Sequence, residues 1–182
     1  MYFSKVGLKI MEFYFQHPSS EEYVKNLAKV LKVGAGSVST TCSLLGRQGF
    51  LLRKEKSNSL FYSLNDENPL VKKLKSLWVL EKFLSLKKKW LDPAFISVAL
   101  FGSCASGNFD RKSDADVLVI TNLPDSLVYE KFRKVDFRLP MGVIPVVFSV
   151  SKWMDLAKRK DRFYIEVISN HILLEGSSIV VG

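Results

Sequence analysis

The residues whose types and spacing point most directly to chemistry lie in ALFGSCASGNFDRKSDADVLVI: Gly102 and Ser103 end one apolar run, and Asp114 and Asp116 head another. Side chains two positions apart on a strand point the same way. Asp114 and Asp116 would then project together as hard oxygen ligands suited to Mg2+. Gly102, lacking a Cβ, can bring backbone amides close to a phosphate. Ser103 adds a hydroxyl donor. A metal ion bridging the carboxylates and the oxygens of a nucleoside triphosphate would offset the charge that builds up during displacement at phosphorus. This set fits nucleotidyl transfer.

Apolar runs at 96–101 and 117–120 read as the strands that must hold these residues. Residues 126–138 read as an amphipathic helix with Leu127, Phe132 and Val135 inward. Gly142 leads into a third strand at 143–150, interrupted at Pro145. Trp153, Leu156, Phe163, Ile165 and Ile168 fit one or two helices, and 171–174 and 179–181 are short β-prone runs. Strands that alternate with helices place this half in the α/β or α+β class.

FGSCASGNFDRKSDADVLVI resembles the minimal nucleotidyltransferases of the DNA polymerase β superfamily. Their signature is a hydrophobic residue, Gly-Ser, about ten residues, then Asp-x-Asp and a hydrophobic residue. Gly102, Ser103, Asp114 and Asp116 match it one by one, and Gly107 and Ser113 stand where the family often has Gly and Ser. The resemblance runs over 93–176, including GVIPVVFS and ILLEG. It implies a small mixed-sheet fold, Asp114 and Asp116 as catalytic carboxylates and metal ligands, and Gly102, Ser103 and Ser113 as nucleotide contacts. It also implies Mg2+, a nucleoside triphosphate, and, as in antitoxins of this fold that modify a partner toxin, a protein as one acceptor. The chain departs from the pattern at Ala105 and Ser106, where many relatives carry Arg. The family's third acid belongs on the next strand, near Ile144, and GVIPVVFS has none. Asp136 is the alternative if KVDFRL were that strand. Two of three implied carboxylates are therefore recognisable, and a missing base would slow the chemistry.

Residues 1–66 follow another pattern. Phe3, Val6, Ile10 and Phe13 recur at helical spacing up to His17-Pro18. Ser19 and Glu22 form a capping box for a second helix with Tyr23, Leu27, Ala28 and Leu31 inward. After Gly34-Ala35-Gly36, a third helix buries Val38, Thr41, Cys42 and Leu45. Two β-prone runs around the tip at 56–59 read as a hairpin. Three helices and a hairpin are the winged helix-turn-helix order. LAKVLKVGAGSVSTTCSLLGRQGFLLR resembles winged-helix DNA-binding families of the ArsR and MarR type. That resemblance implies a dimer on double-stranded DNA, with Ser39, Thr40, Ser43 and Arg47 facing the groove and Arg53, Lys54 and Lys56 on the wing.

Residues 67–92 read as a basic linker helix, capped by Asn68-Pro69, with Leu70, Leu74, Leu77, Trp78 and Leu84 on its apolar side. The expected architecture is α+β: a winged helix-turn-helix at 1–66, the linker, and a nucleotidyltransferase-like domain at 93–182.

Bulk properties agree with this division. A net charge of +9 favours polyanionic partners such as DNA and nucleotides. No apolar run is long enough to predict a membrane span, and MYFSKVGLKIMEFYFQ lacks the pattern of a signal peptide. Cys42 and Cys104 stand outside any CxxC pair, which argues against a disulfide framework or thiolate zinc site and predicts a cytoplasmic protein, while the winged-helix resemblance implies a homodimer. His17 and His171 have no metal partner at ligand spacing. Two functions follow. One is a DNA-binding transcriptional regulator whose second domain binds Mg-nucleotide with weak or lost catalysis. The other is an active enzyme that transfers a nucleoside monophosphate to a protein acceptor.

Overall fold

A computed structural model describes residues 3–56, 59–136 and 141–181. The chain divides into two compact units, Met1–Leu74 and Lys75–Gly182.

The first unit runs α1 (Lys5–Gln16), β1 (Glu21–Tyr23), α2 (Val24–Leu31), α3 (Ala35–Arg47), β2 (Leu51–Lys56) and β3 (Ser59–Leu64). Its sheet has the order β1-β3-β2, antiparallel throughout. Ile10, Tyr14, Leu27, Val38, Cys42, Leu45 and Tyr62 are buried. The Tyr14 hydroxyl donates to the Tyr62 carbonyl at 2.7 Å, so the largest polar side chain of α1 is buried without loss of its hydrogen bond. The second helix begins later than its expected capping box. Glu21–Tyr23 pair with Phe61–Ser63 as a short strand, and α2 starts at Val24 without a side-chain cap. Strand pairing satisfies those backbone groups instead, and Glu22 accepts from Asn26. The tip at 57–58 lies outside the described residues.

α4 (Pro69–Ser85) follows, with Asn68 Oδ1 accepting from the Leu70 amide at 2.9 Å. Its buried face is Val71, Lys75, Ser76, Val79 and Phe83, whereas Leu70, Leu77 and Leu84 are exposed. The helix is thus rotated from the face that its leucines suggest. Polar residues can occupy the inner face because each finds a backbone acceptor. The Ser76 hydroxyl donates to the Ala105 carbonyl at 2.8 Å. Lys75, 1% exposed, donates from Nζ to the Phe109 carbonyl at 2.7 Å and lies 4.6 Å from the Phe109 ring centre.

The second unit continues with α5 (Lys87–Trp90), β4 (Phe95–Phe101), α6 (Gly102–Ser106), β5 (Ala115–Thr121), α7 (Asp125–Asp136), β6 (Val143–Phe148), α8 (Val150–Lys158), α9 (Arg162–Ser169) and β7 (His171–Gly176). The four strands form a mixed sheet in the order β6-β5-β4-β7. β5 and β6 are parallel, joined through α7, and the other pairs are antiparallel. Alternate residues of the two central strands feed two cores. Val98, Leu100, Val117 and Val119 join Val79, Phe83, Trp90, Val128 and Phe132 on one face. Ala99, Phe101, Leu118 and Ile120 join Trp153, Tyr164 and Val167 on the other. Burial on both faces explains the nearly unbroken apolar runs of β4 and β5. In α7 the inward residues are Val128, Phe132 and Val135, while Leu127 is exposed. Residues 179–181 form no strand, and Ile179 instead accepts a hydrogen bond from the Trp153 indole at 2.8 Å.

Candidate functional site

The glycine turn and the paired acids meet at one end of the central strands. In the β4–β5 register Phe101 lies opposite Asp116, so Gly102 is the first residue past the edge beside that acid. Gly102 has φ +69°, a left-handed conformation that favours glycine. A methyl group at position 102 would lie 2.8 Å from Asp116 Oδ2. The turn therefore lies close to the carboxylate, and a Cβ at this position would force the Asp116 carboxylate to shift. Phe101 ends its strand in extended backbone and α6 begins at Gly102, so the first amides of α6 lie at this edge without acceptors inside the helix. Gly107, φ +78°, ends α6 in the left-handed form usual for a glycine after a helix.

The carboxylates differ in surroundings. Asp116 is half-buried within β5, and Asp114 is exposed one residue before that strand. The Asp114 carbonyl accepts from the Cys104 thiol at 3.5 Å, which links the acid-bearing strand to α6. Burial raises the Asp116 pKa above its ordinary value, and the negative charges of Asp114 and Glu166 raise it further. Among the described residues neither acid has an ion-pair partner. Cys104 is buried and its pKa is pushed up to about 12, chiefly by that burial and then by Asp116, so the thiol stays protonated near neutrality and fills space in the loop.

The other expected nucleotide contacts are placed differently. Ser103 is half-buried on α6 at the turn. Ser113 is committed to the loop before β5: its hydroxyl donates to Asp110 Oδ1 at 3.0 Å and accepts from the Asp110 amide at 3.0 Å. Asp110 also accepts from the Lys112 amide at 2.8 Å, which lowers its pKa. Arg111 and Lys112 are exposed on the same loop.

Ile144 pairs with Asp116 in the parallel β5–β6 register, and its apolar side chain is 45% exposed there. The described strand holds no acid. Asp136 is the last residue of α7, not part of a strand, and residues 137–139 of KVDFRL lie outside the described residues.

Helix α9, on the other hand, approaches the site through residues that apolar spacing did not single out. Asn170 Nδ2 donates to the Gly102 carbonyl at 3.3 Å, and Glu166 stands one turn earlier on α9. The signal available was RFYIEVISN, in which Phe163 and Glu166 are three residues apart on one side of the helix and Asn170 follows one turn after Glu166. His171 pairs with Phe101 across β4–β7 and its Nδ1 lies 3.1 Å from the Ile168 carbonyl.

A divalent cation fits this donor set. Two hard carboxylates stand beside a turn cleared of a Cβ, and neither is neutralised by a side-chain cation among the described residues. No group of three or more His, Cys, Asp or Glu side chains able to hold a metal occurs among those residues. Remaining coordination positions would fall to water and phosphate oxygens, a common arrangement for Mg2+.

In the first unit, Ser39 and Thr40 are exposed on α3, and Arg53, Lys54 and Lys56 are exposed on β2. Ser43, Gly46, Arg47, Arg53 and Tyr62 line one open cleft of about 300 Å³. Ser39 lines a second cleft with Tyr23, Lys25, Gly36 and Leu60. Lys56 is paired with Glu21, so its charge is partly spent within the unit. No described helix is long and apolar enough to cross a membrane.

The nucleotidyltransferase domain model matches residues 71–170. No curated protein matches the chain. Among solved structures, a toxin-antitoxin crystal structure with AMP-PNP is 21% identical, with 54% of this chain and 74% of that one covered and a TM-score of 0.38. The tri-AMPylated Shewanella oneidensis HEPN toxin in complex with MNT antitoxin gives 18% identity over 58% of this chain and 73% of that one, with a TM-score of 0.33.

Proposed function

This chain belongs to the nucleotidyltransferase domain family, and from that premise we propose that its second unit binds a magnesium-bound nucleoside triphosphate and transfers the nucleotidyl group to a hydroxyl acceptor. The observation that carries the reading is the close approach of the Gly102 turn to Asp116, 2.8 Å from a Cβ that is not there. Asp114 and Asp116 would hold the metal ion, which when bound supplies positive charge to the phosphates. The amides at Gly102 and Ser103 and the Ser103 hydroxyl orient the triphosphate. Gly107 and the Cys104–Asp114 link keep the turn and the acids in register. Ser113 contributes through the Asp110 loop rather than as an available hydroxyl. A protein is one acceptor compatible with this chemistry. With no acid on β6, transfer depends on another group to take the acceptor's proton.

The first unit supports a second reading, recognition of double-stranded DNA in the manner of a winged helix, with the protein acting as a regulator and binding as a dimer. Its support is the convergence of Ser43 and Arg47 of α3 with Arg53 of β2 on one cleft, where hydroxyl and guanidinium donors could meet a phosphate strand. Ser39, Thr40 and Lys54 would extend that surface.

The decisive experiment mixes the chain with Mg2+ and an α-labelled nucleoside triphosphate and follows both label transfer and thermal unfolding. A native-state ligand raises the midpoint, and Asp116→Ala removes both the rise and the transfer. If metal and triphosphate together leave the midpoint unchanged, the nucleotide reading is wrong.

A further inference from the structure

The flanks of Asp116 are unequal. On the β6 side the residue in register is Ile144, which can take no proton. On the β4 side stand Phe101 and Gly102, and α9 covers the sheet face that Asp116 shares, since Asp116 alternates with Leu118 and Ile120, which pack with Tyr164 and Val167 of α9. Two contacts fix α9 beside the glycine turn. The Phe163 ring lies edge-on to the Phe101 ring with centres 5.7 Å apart, and Asn170 donates to the Gly102 carbonyl. Phe101 and Gly102 are the residues opposite and next to Asp116. Phe163 and Glu166 are three residues apart on one side of α9, and Asn170 is the residue that ends the helix one turn after Glu166. Glu166 therefore stands between two anchors that both touch the rim of the site. It is exposed, and among the described residues its carboxylate enters no ion pair or side-chain hydrogen bond.

We infer that Glu166 provides the proton acceptor absent from β6. This rests on the transfer reading above. As the acceptor hydroxyl oxygen forms its bond to the α-phosphorus, the bond from that phosphorus to the oxygen bridging to the β-phosphate breaks. Pyrophosphate leaves with the electron pair, and the hydroxyl proton passes to the Glu166 carboxylate. A base supplied from a helix, rather than from the neighbouring strand, leaves the Ile144 flank apolar for the acceptor side chain.

The test compares wild type, Glu166→Gln and the double variant Glu166→Gln/Ile144→Asp in Mg2+-dependent transfer from an α-labelled triphosphate. Glu166→Gln should lower kcat about 100-fold with KM nearly unchanged. Adding Ile144→Asp should restore at least roughly tenfold of that loss, since it returns a carboxylate to the vicinity of the nucleophile. Independently of turnover, Mn2+ bound at the acid pair should broaden the Glu166 side-chain carboxyl NMR signal more than that of Glu130, which lies on α7 at the opposite sheet face. A Glu166→Gln variant with wild-type kcat, or a Glu166 signal no more broadened than Glu130, overturns the assignment. A wild type that transfers no label overturns the transfer reading and this role with it, whereas an active wild type with an unaffected variant overturns this role alone.

Discussion

The rim around Asp116 and the α3–β2 face of the first unit would both meet phosphate, yet they are built on opposite principles. At the rim the backbone does most of the work. A positive-φ glycine lies close to a half-buried carboxylate, and the nearby thiol, carbonyl and amide groups are fixed by hydrogen bonds. On the α3–β2 face, long and exposed side chains such as Arg47 and Arg53 supply reach and charge from ordinary helix and strand backbone. A metal-bound triphosphate needs donors held to a fraction of an ångström. A polyanion needs positive charge within reach, and tolerates motion. The first kind of surface should therefore fail through geometry, and the second through salt.

The largest break is expected at the acids. Asp116→Ala or Asp114→Ala should reduce label transfer by about 100–1,000-fold, the scale for loss of one preorganised electrostatic group. Duplex DNA affinity should stay unchanged in the same samples, which a filter-binding titration would check. A smaller but more telling break is Gly102→Ala. The left-handed backbone alone costs a residue with a side chain about 1–2 kcal/mol, and the new methyl group presses on Asp116. Triphosphate binding by calorimetry should fall at least tenfold, roughly 1.4 kcal/mol in binding free energy, and urea unfolding should show a lower midpoint.

Salt sharpens the other side of the comparison. Arg47→Ala with Arg53→Ala should weaken duplex binding at low salt and flatten the log–log salt slope by about two, one for each lost phosphate contact. Fluorescence anisotropy against salt concentration reads both. An unchanged slope would remove the cleft at Ser43, Arg47 and Arg53 from the DNA surface, while triphosphate binding should be indifferent to the pair.

The smallest expected effect is a pH dependence. Asp116 holds its proton more tightly in the fold than an ordinary aspartate, first because of burial and then because of Asp114 and Glu166. Between the ordinary value of 3.8 and the raised native value, the native state binds more proton than the unfolded chain. Stability from this group is thus full below that window and is lost as pH rises through it. Asp116→Asn should remove that part of the decline and raise the unfolding midpoint at neutral pH, as denaturant titrations across the acid range would show. Metal affinity moves the opposite way in wild type, strengthening as pH rises, because the ligand must be ionised.

The sequence made the central strands and the acid–glycine pairing legible for a physical reason. β4 and β5 are buried on both faces, and Gly102 and Asp116 lie at strand ends where side-chain direction follows from alternation. α4 misled because its leucines look like a core stripe, while Lys75 and Ser76 look like surface. The carbonyls of Phe109 and Ala105 reverse that assignment, and local spacing carries no trace of them. The start of α2 was hidden by a strand partner some forty residues away, a pairing that overrides a local cap. Glu166 escaped notice for a similar reason: its relevance depends on where α9 docks, and apolar periodicity records only the inner side of a helix.

The inward-turned Lys75 has a practical consequence. An amine-directed acylating reagent can modify the solvent-facing lysines of the folded chain, while the Lys75 amine, packed on the Phe109 ring, is shielded. Acylation at that one position then becomes a clock for transient opening of the second unit, with the neighbouring lysines serving as the internal standard for reagent strength.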